Sequence, residues 1–236
     1  MNTCVARPRT VRNRIEVSPR KHEPAYVTEA ANDTKPAYHA AKRALDVVVS
    51  ALALIALTPL FAVVALIVKL TSRGPVFFGQ TRVGKDGREF RFYKFRSMVA
   101  DAEARKAALL EQNDHGESVT FKMKRDPRIT RIGRFIRKTS IDELPQLWSV
   151  LTGDMTLVGP RPAVPTEVAK YTPQQRKRLA VTPGLTCLWQ VSGRGDLPFD
   201  RQVELDLEYI RSRSLWLDAK LLAKTVPAVL NGRGAY

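Results

Sequence analysis

Residues 47–68 read VVVSALALIALTPLFAVVALIV, twenty-two positions without a charged side chain. At roughly 1.5 Å of rise per residue, such a helix is long enough to cross a hydrocarbon core of ~30 Å. Chains of this size rarely bury a helix so uniformly apolar, so the segment reads as membrane-inserted rather than as a core helix. Pro59 lies at its middle, where it cannot donate to the helical ladder and clashes with the carbonyl four residues back. Thr58 offsets part of that loss if its hydroxyl bonds the freed carbonyl of Ile55 or its neighbour. Basic residues flank both ends, Lys42 and Arg43 before the run and Lys69 and Arg73 after it, so the positive-inside bias favours neither orientation of a single crossing. A basic flank at each end and a break at the centre suit a re-entrant helix that returns to the side it entered. A kinked single-pass helix is the alternative.

The rest of the chain divides around this run into a basic tail over residues 1–40, a membrane-inserted helix over 41–73 broken at Pro59, and a body over 74–236. The tail carries Arg7, Arg9, Arg12, Arg14, Arg20 and Lys21 with four prolines. It has no sustained apolar periodicity, which reads as disorder. No apolar h-region follows its first charges, so it is not expected to be a secretory signal. With 236 residues, one compact domain plus extensions is the natural size. A net charge of +16 and a pI near 10.2 call for anionic partners: nucleic acid, anionic lipid or a phosphorylated substrate. Two cysteines, Cys4 and Cys187, are too few for a disulfide framework and point to a reducing, cytosol-facing body. His22, His39 and His115 are scattered without the paired spacing of a zinc site.

The body reads as α+β, mostly helical with a small β-hairpin. Pro75–Phe78 and Glu89–Phe95 are predicted strands joined through Gly84-Lys-Asp-Gly87, where Asp-Gly is a hairpin turn signal. The stretch Gly79-Gln-Thr-Arg-Val-Gly84-Lys85 approaches a phosphate loop. Asp86 follows where a Ser or Thr hydroxyl is needed, and strand-like residues follow where a helix is needed, so that reading fails. Helices are expected over 101–112, 167–179, 201–211 and 215–230, with a polar loop over 113–118. The last helix bears Trp216, Lys220 and Lys224, and either lies in the membrane interface or packs on the core.

Chemistry concentrates after residue 121. Between Lys122 and Ser140 stand eight basic residues (Lys122, Lys124, Arg125, Arg128, Arg131, Arg134, Arg137 and Lys138) against one acid, and Asp142 and Glu143 follow side by side. A polyanion site containing a nucleophile or metal ligand has this composition. Ser140-Ile-Asp-Glu143 has the spacing of a helix-start capping box, and Pro145 suits a first turn. A helix starting there turns its positive end toward Asp142 and any nearby phosphate. The same spacing fits a plain cap beside a solvated basic face, and spacing alone leaves both readings open. Further on, Pro160 and Pro162 flank Arg161, so its guanidinium is presented from a stiff loop; an ordinary rigid turn reads the same way.

Lys94-Phe-Arg-Ser-Met98, Arg137-Lys-Thr-Ser-Ile-Asp-Glu-Leu-Pro-Gln146, Gly153-Asp-Met, Val158-Gly-Pro-Arg-Pro162, Pro183-Gly-Leu-Thr and Trp189-Gln-Val-Ser-Gly-Arg194 together resemble, in order, the bacterial sugar transferase family of monotopic polyprenyl-phosphate phosphoglycosyl transferases. The likeness runs from about residue 40 onward and is nearest to the short, exopolysaccharide-initiating hexose-1-phosphate transferases. It implies transfer of a hexose 1-phosphate from a UDP-sugar, galactose or glucose being favoured, to undecaprenyl phosphate with release of UMP. The site implied lies at the cytoplasmic face of the bacterial inner membrane, among its lipids. On the same resemblance Asp142 is the nucleophile that forms a phosphosugar-aspartyl intermediate, Glu143 is its partner near Mg²⁺, and Lys94, Arg137 and Arg161 contact phosphate or nucleotide. Cys187 stands where the family usually has glycine, which bears on turn geometry rather than chemistry.

Two other classes fit less of the sequence. A membrane-tethered polyanion-binding protein accounts for the charge, but nothing here reads as a helix-turn-helix, and a carboxylate pair repels phosphates without a metal, so no nucleic acid partner is expected. A membrane-anchored, UDP-releasing glycosyltransferase of the metal-dependent kind would carry an Asp-x-Asp triplet, and none occurs. The sequence names neither the sugar nor the oligomeric state.

Overall fold

A computed structural model describes residues 36–106, 109, 119–120, 123, 125–232 and 234. The tail up to residue 35, the loop 113–118, most of 107–112, and Lys122 and Lys124 lie outside the described residues. Helix α1 (Pro36–Thr71) begins earlier than the expected boundary at 41, with Pro36 in the first position, where its missing N–H is no loss. Its 36 residues make a rod of ~54 Å at 1.5 Å per residue. The helical run continues through Pro59 without a gap. Thr58 Oγ1 donates to Leu54 O at 2.9 Å, to the neighbour of the carbonyl that the proline leaves free.

Strands β1 (Phe77–Val83) and β2 (Glu89–Phe95) pair antiparallel, with Phe77 opposite Phe95 and Val83 opposite Glu89. β2 has the expected bounds; β1 is displaced toward the turn. Pro75 has no N–H to give a ladder, and the Val76 carbonyl accepts from the Arg96 N–H. The turn is made at Asp86 (φ 55°) and Gly87 (φ 81°), both left-handed, as an Asp-Gly hairpin requires. After α2 (Ala102–Lys106) come α3 (Arg131–Lys138), a 3₁₀ turn over Ile141–Gln146, and α4 (Leu147–Thr152). β3 (Thr156–Val158) then pairs in parallel with β4 (Gly184–Thr186). The two strands meet so closely that a Cβ on Gly184 would lie 2.0 Å from the Gly159 nitrogen, so no larger residue fits there.

The single helix expected over 167–179 is in fact two short ones, α5 (Pro165–Val168) and α6 (Pro173–Arg176), followed by a 3₁₀ turn over Lys177–Ala180. Thr172 and Gln175 form a reciprocal capping box that starts α6 afresh, and Pro173 has no N–H to carry the earlier helix onward. Last come α7 (Leu188–Ser192), α8 (Phe199–Ser212) and α9 (Leu215–Asn231). Among the described residues the protein is mostly helical with small sheets, and one long apolar helix has the length and composition to anchor in a membrane.

α1 is also part of the body. Val64 and Val68 share a core with Phe95 and Ile136, and Ala53, Leu54 and Leu57 pack on the core of Phe92, Leu147, Val150 and Met155. Each such side chain contributes about 1.5–3 kcal/mol when fully buried. Polar contacts fix the helix near both ends. The buried carboxylate of Asp46 accepts from Thr156 Oγ1 at 2.7 Å and from the Leu157 N–H at 2.9 Å. Lys42 Nζ donates to Asp218 Oδ2 at 2.7 Å and to Val158 O at 2.9 Å. At the far end Arg96 donates to the carbonyls of Val68, Ser72 and Pro75. The opposite face of α1 exposes Leu45, Val48, Leu52, Ile55, Val63, Leu66 and Leu70, the pattern of a helix with apolar surroundings outside the protein. On α9, Leu221 is buried while Trp216 is 78% exposed, so that helix packs on the body and also presents an aromatic ring outward.

Candidate active site

Asp142 and Glu143 sit at the start of the 3₁₀ turn and face different partners. Glu143 is fully engaged: Oε1 accepts from Lys94 Nζ at 2.8 Å and from Arg161 Nη2, and Oε2 accepts from Arg161 Nη1 at 3.1 Å. Asp142 is 5% exposed, and no described group donates a hydrogen bond to it. Adjacent residues of a 3₁₀ turn are rotated by about 120°, more than the ~100° of an α-helix, so the two carboxylates project in different directions and meet different neighbours.

The capping box expected over Ser140–Glu143 does not form. Ser140 is left-handed (φ 56°) and caps nothing; its hydroxyl accepts from Arg194 Nη2 at 2.6 Å. Glu143 reaches forward to two cations instead of back to the Ser140 N–H. Electrostatic attraction between a carboxylate and two basic side chains outweighs a single cap.

Each cation arrives on a constrained element. Lys94 comes from β2, with its ammonium 5.4 Å from the Phe92 ring centroid. Arg161 stands in the loop after β3, which is tied at three points. Pro160 O accepts from the Gly184 N–H at 2.8 Å, Ala163 O from the Val83 N–H at 2.9 Å, and Pro162 O from Arg82 Nη1 at 2.9 Å. Pro160 and Pro162 thus serve the site through backbone carbonyls and fixed φ angles. Arg137, in the last turn of α3, lies within electrostatic reach of Asp142, and its side chain, like that of Asp142, has no hydrogen-bond partner among the described residues. Two further arginines, quoted within sequence motifs but assigned no site role there, belong to the cluster. Arg82 lies 5.0 Å from the Phe92 centroid and shares the electrostatic field of Arg161 and Glu143. Arg194 shares that of Glu143, Arg161 and Asp142. The hairpin register carried the signal for Arg82, since it places Arg82, Phe92 and Lys94 on one face. Arg194 sits between glycines, which marks a tight turn but not its destination.

These surroundings separate the two carboxylates. Burial, opposed by the Lys94 charge and reinforced by Glu143, pushes Asp142 up to about 6. Burial alone would push Glu143 up too, but the Arg161 and Lys94 charges outweigh it and hold Glu143 well below the usual carboxylate range. Glu143 is therefore held as a fixed counter-ion, whereas Asp142, with no described hydrogen-bond donor, keeps its proton to a higher pH than an ordinary aspartate. Behind the Pro-Arg-Pro loop lies a cavity of about 10 Å³ lined by Val83, Arg161, Tyr171 and Arg178. It has room for a single water.

An oxygen-preferring divalent cation would find at most one or two carboxylate ligands here and would need the rest of its coordination from elsewhere. No group of three or more metal-ligating side chains converges among the described residues, and both Glu143 oxygens already accept from cations, which leaves Asp142 as the uncommitted oxygen donor. Cys187 has an extended backbone (φ −152°) and a buried thiol that donates to Gln190 Oε1 at 3.1 Å. Nothing there requires glycine. Thr58 and Pro59 lie on α1, apart from this cluster.

Residues 37–232 match the family model described as bacterial sugar transferase. An undecaprenyl-phosphate galactose phosphotransferase of Salmonella typhimurium is 46% identical over 199 residues, which cover 83% of this chain and 41% of that protein. An undecaprenyl-phosphate glucose phosphotransferase of Komagataeibacter xylinus is 45% identical over 206 residues, covering 83% of this chain and 37% of that protein. The exopolysaccharide production protein ExoY of Sinorhizobium fredii is 38% identical over 214 residues, covering 89% of this chain and 95% of that protein. The chain spans about two fifths of the length of the first two relatives and nearly all of the third.

Proposed function

The chain belongs to the bacterial sugar transferase family, and from that premise we propose that it moves a hexose 1-phosphate from a UDP-sugar to undecaprenyl phosphate, releasing UMP, as the first membrane step of exopolysaccharide or related glycoconjugate synthesis. The observation that carries this reading is the Asp142 carboxylate, buried, without a hydrogen-bond donor, and beside the Glu143–Lys94–Arg161 cluster. The names of the relatives support galactose or glucose as the sugar and undecaprenyl phosphate as the acceptor.

In this mechanism an Asp142 oxygen attacks the sugar-proximal phosphorus. The bond from that phosphorus to the bridging oxygen breaks, and UMP departs with the oxygen and its electron pair. The sugar phosphate is left on the aspartate as an acyl phosphate. A phosphate oxygen of the lipid then attacks the same phosphorus and frees Asp142, giving undecaprenyl-diphosphate-sugar. Lys94, Arg137 and Arg161 hold the phosphates in line and neutralise the charge that builds on the leaving UMP, which is where most of the rate in phosphoryl transfer arises. Glu143 keeps Lys94 and Arg161 fixed between turnovers. Glu143, or the uncommitted Asp142, would hold a Mg²⁺ ion, which would supply further charge neutralisation at the phosphates. Incubation with a panel of UDP-sugars and a short polyprenyl phosphate tests the reaction. UMP is the expected product, whereas UDP would indicate a glycosyltransferase and no nucleotide a binding protein.

The site is read as lying at headgroup level on the cytoplasmic side, with both ends of α1 on that side and the Pro59 region deepest. Support comes from Lys42, Arg43 and Asp46 near one end and Val68 and Ser72 at the other, all bonded to the same body. A full crossing would ask that body to stand on both faces of the bilayer. Cys4 precedes α1 and Cys187 is buried, so a membrane-impermeant thiol reagent reports on Cys4. It should leave intact cells unlabelled and label Cys4 after lysis. Labelling before lysis would overturn the same-side arrangement.

A further inference from the structure

Arg194 holds an unusual backbone conformation for a side chain of its size, with φ 53°, a region where a non-glycine residue persists only when its surroundings impose it. The imposing contact comes from the segment after α9. Gly234 O accepts from the Gly195 N–H at 3.2 Å. Gly234 lies so close to the turn that a Cβ there would fall 2.8 Å from Gly193 O, 2.9 Å from Gly195 N and 3.0 Å from Arg194 Cβ, and its own φ is +64°. Only glycine meets both conditions. Two residues earlier Gly232 (φ +60°) rests against Lys138, where a Cβ would lie 3.0 Å from Cγ. Lys138 ends α3, and Ser140 follows two residues later. The segment therefore touches both turns whose side chains meet in the 2.6 Å bond from Arg194 Nη2 to Ser140 Oγ.

That bond uses one arm of the guanidinium. The other, Nη1, is buried and has no hydrogen-bond partner among the described residues. A charged donor left without an acceptor is costly to bury, and a planar guanidinium with one arm pinned presents the other in a fixed direction. Nearby, Glu143 already accepts from Lys94 and Arg161 on both oxygens. A phosphate oxygen is one acceptor that would complete it, through a charge-assisted bond.

We propose that Arg194 is a phosphate ligand of the active site and that Gly234 is its positioning residue, Gly232 and Gly234 bracing the two left-handed turns so that the free arm of Arg194 meets the substrate. This deepens the phosphosugar-transfer reading and rests on it for the identity of the substrate. The phosphate is that of the nucleotide-sugar or that of the acceptor lipid; UMP and a short polyprenyl phosphate tell the two apart.

The test measures binding of UMP, and separately of a short polyprenyl phosphate, to the full chain in lipid nanodiscs. The variants are Arg194→Ala, Gly234→Ala, the double variant and Gly87→Ala. Gly87 is also left-handed (φ +81°) but has open space around its Cβ position, so it controls for backbone strain alone. Arg194→Ala and Gly234→Ala should each weaken binding of the same ligand by about tenfold or more. The double variant should bind no more weakly than Arg194→Ala, and Gly87→Ala should match the parent. In turnover the loss should appear in KM for that substrate more than in kcat, and Arg194→Lys should restore only part of it. Parent-like affinity in Gly234→Ala, or losses that add in the double variant, would overturn the bracing. Should Gly234→Ala not fold, Ser140→Ala decides by the same rule: losses non-additive with Arg194→Ala support the proposal, and additive ones overturn it. A parent chain that binds UMP yet releases none from UDP-sugars contradicts the reaction while leaving the bracing intact. A parent with no affinity for either ligand overturns both.

Discussion

Arg178 with Asp206, and Lys94 and Arg161 with Glu143, are built from the same kinds of side chain and do different things. Arg178 donates through Nε to Asp206 Oδ2 at 2.7 Å and through Nη1 to the Tyr171 hydroxyl at 3.1 Å, with the Tyr171 and Phe199 ring centroids 5.8 and 5.7 Å from its guanidinium carbon. Its side chain is 6% exposed and that of Asp206 0%, so one cation and one anion close on each other beside the core of Val83, Leu179 and Val203. Around Glu143 the side chains stay about a fifth exposed, and the cations Arg82, Arg137 and Arg194 join from three other elements, while Asp142 beside them has no hydrogen bond. A buried, charge-balanced pair ties the scaffold together. On the proposed reading, the excess of positive charge around Asp142 is where the substrate phosphate arrives and reacts.

The contrast breaks most visibly at Asp142. Asp142→Asn keeps the shape of the side chain and removes its nucleophilicity. UMP release should fall by about a thousandfold or more, with circular dichroism unchanged and no sugar-phosphate adduct in the intact mass after incubation with UDP-sugar. Activity within tenfold of the parent would erase the distinction between the clusters. Arg178→Ala should act on the other axis. It strands a buried aspartate, and removing one partner of such a pair costs about 3–5 kcal/mol. Denaturant titration should show that loss, while the folded fraction retains turnover near the parent value.

Glu143→Gln comes next in size. It removes the charge that fixes Lys94 and Arg161, and the loss of one preorganised electrostatic partner is typically worth about a hundredfold in kcat. Exhaustive chelation should stop turnover and added Mg²⁺ restore it; full activity after chelation would mean that the basic side chains alone neutralise the phosphates. The smallest effect is the pH profile. Asp142 ionises near 6 and must be ionised to attack, so kcat/KM should fall about tenfold per pH unit as pH drops below that value and level off above it. A profile flat from pH 5 to 8 would show that the environment of Asp142 does not control the reaction.

Short-range signals in the sequence located much of this. The Asp86-Gly87 turn and the bounds of β2 follow from turn chemistry and alternation, and α9 from its amphipathic pattern. Asp142, Glu143, Lys94 and Arg161, singled out by motif and resemblance, meet in one cluster. Contacts across the fold were not legible. The capping box over Ser140–Glu143 has correct spacing, yet Arg194, fifty-four residues on, takes the serine hydroxyl, and two basic side chains take the glutamate. The break before α6 was visible in Thr172-Pro173-Gln-Gln175, but basic composition suggested continuity. The left-handed turn at Arg194 depends on Gly234 O, which no local window contains.

Asp46 and Arg96 carry a practical lesson for anyone preparing the protein. Asp46 reaches from α1 to the start of β3, and Arg96 reaches from the end of β2 to the last carbonyls of α1. Cutting the chain after residue 73 to obtain a water-soluble fragment would leave Thr156, Leu157 and Arg96 without those partners and uncover the sides of Phe95, Ile136 and Val150 that α1 covers. Such a fragment should precipitate on expression. The long helix is better handled as an internal strut than as a detachable tether, and purification should keep it, with lipid or detergent shielding only its outward face.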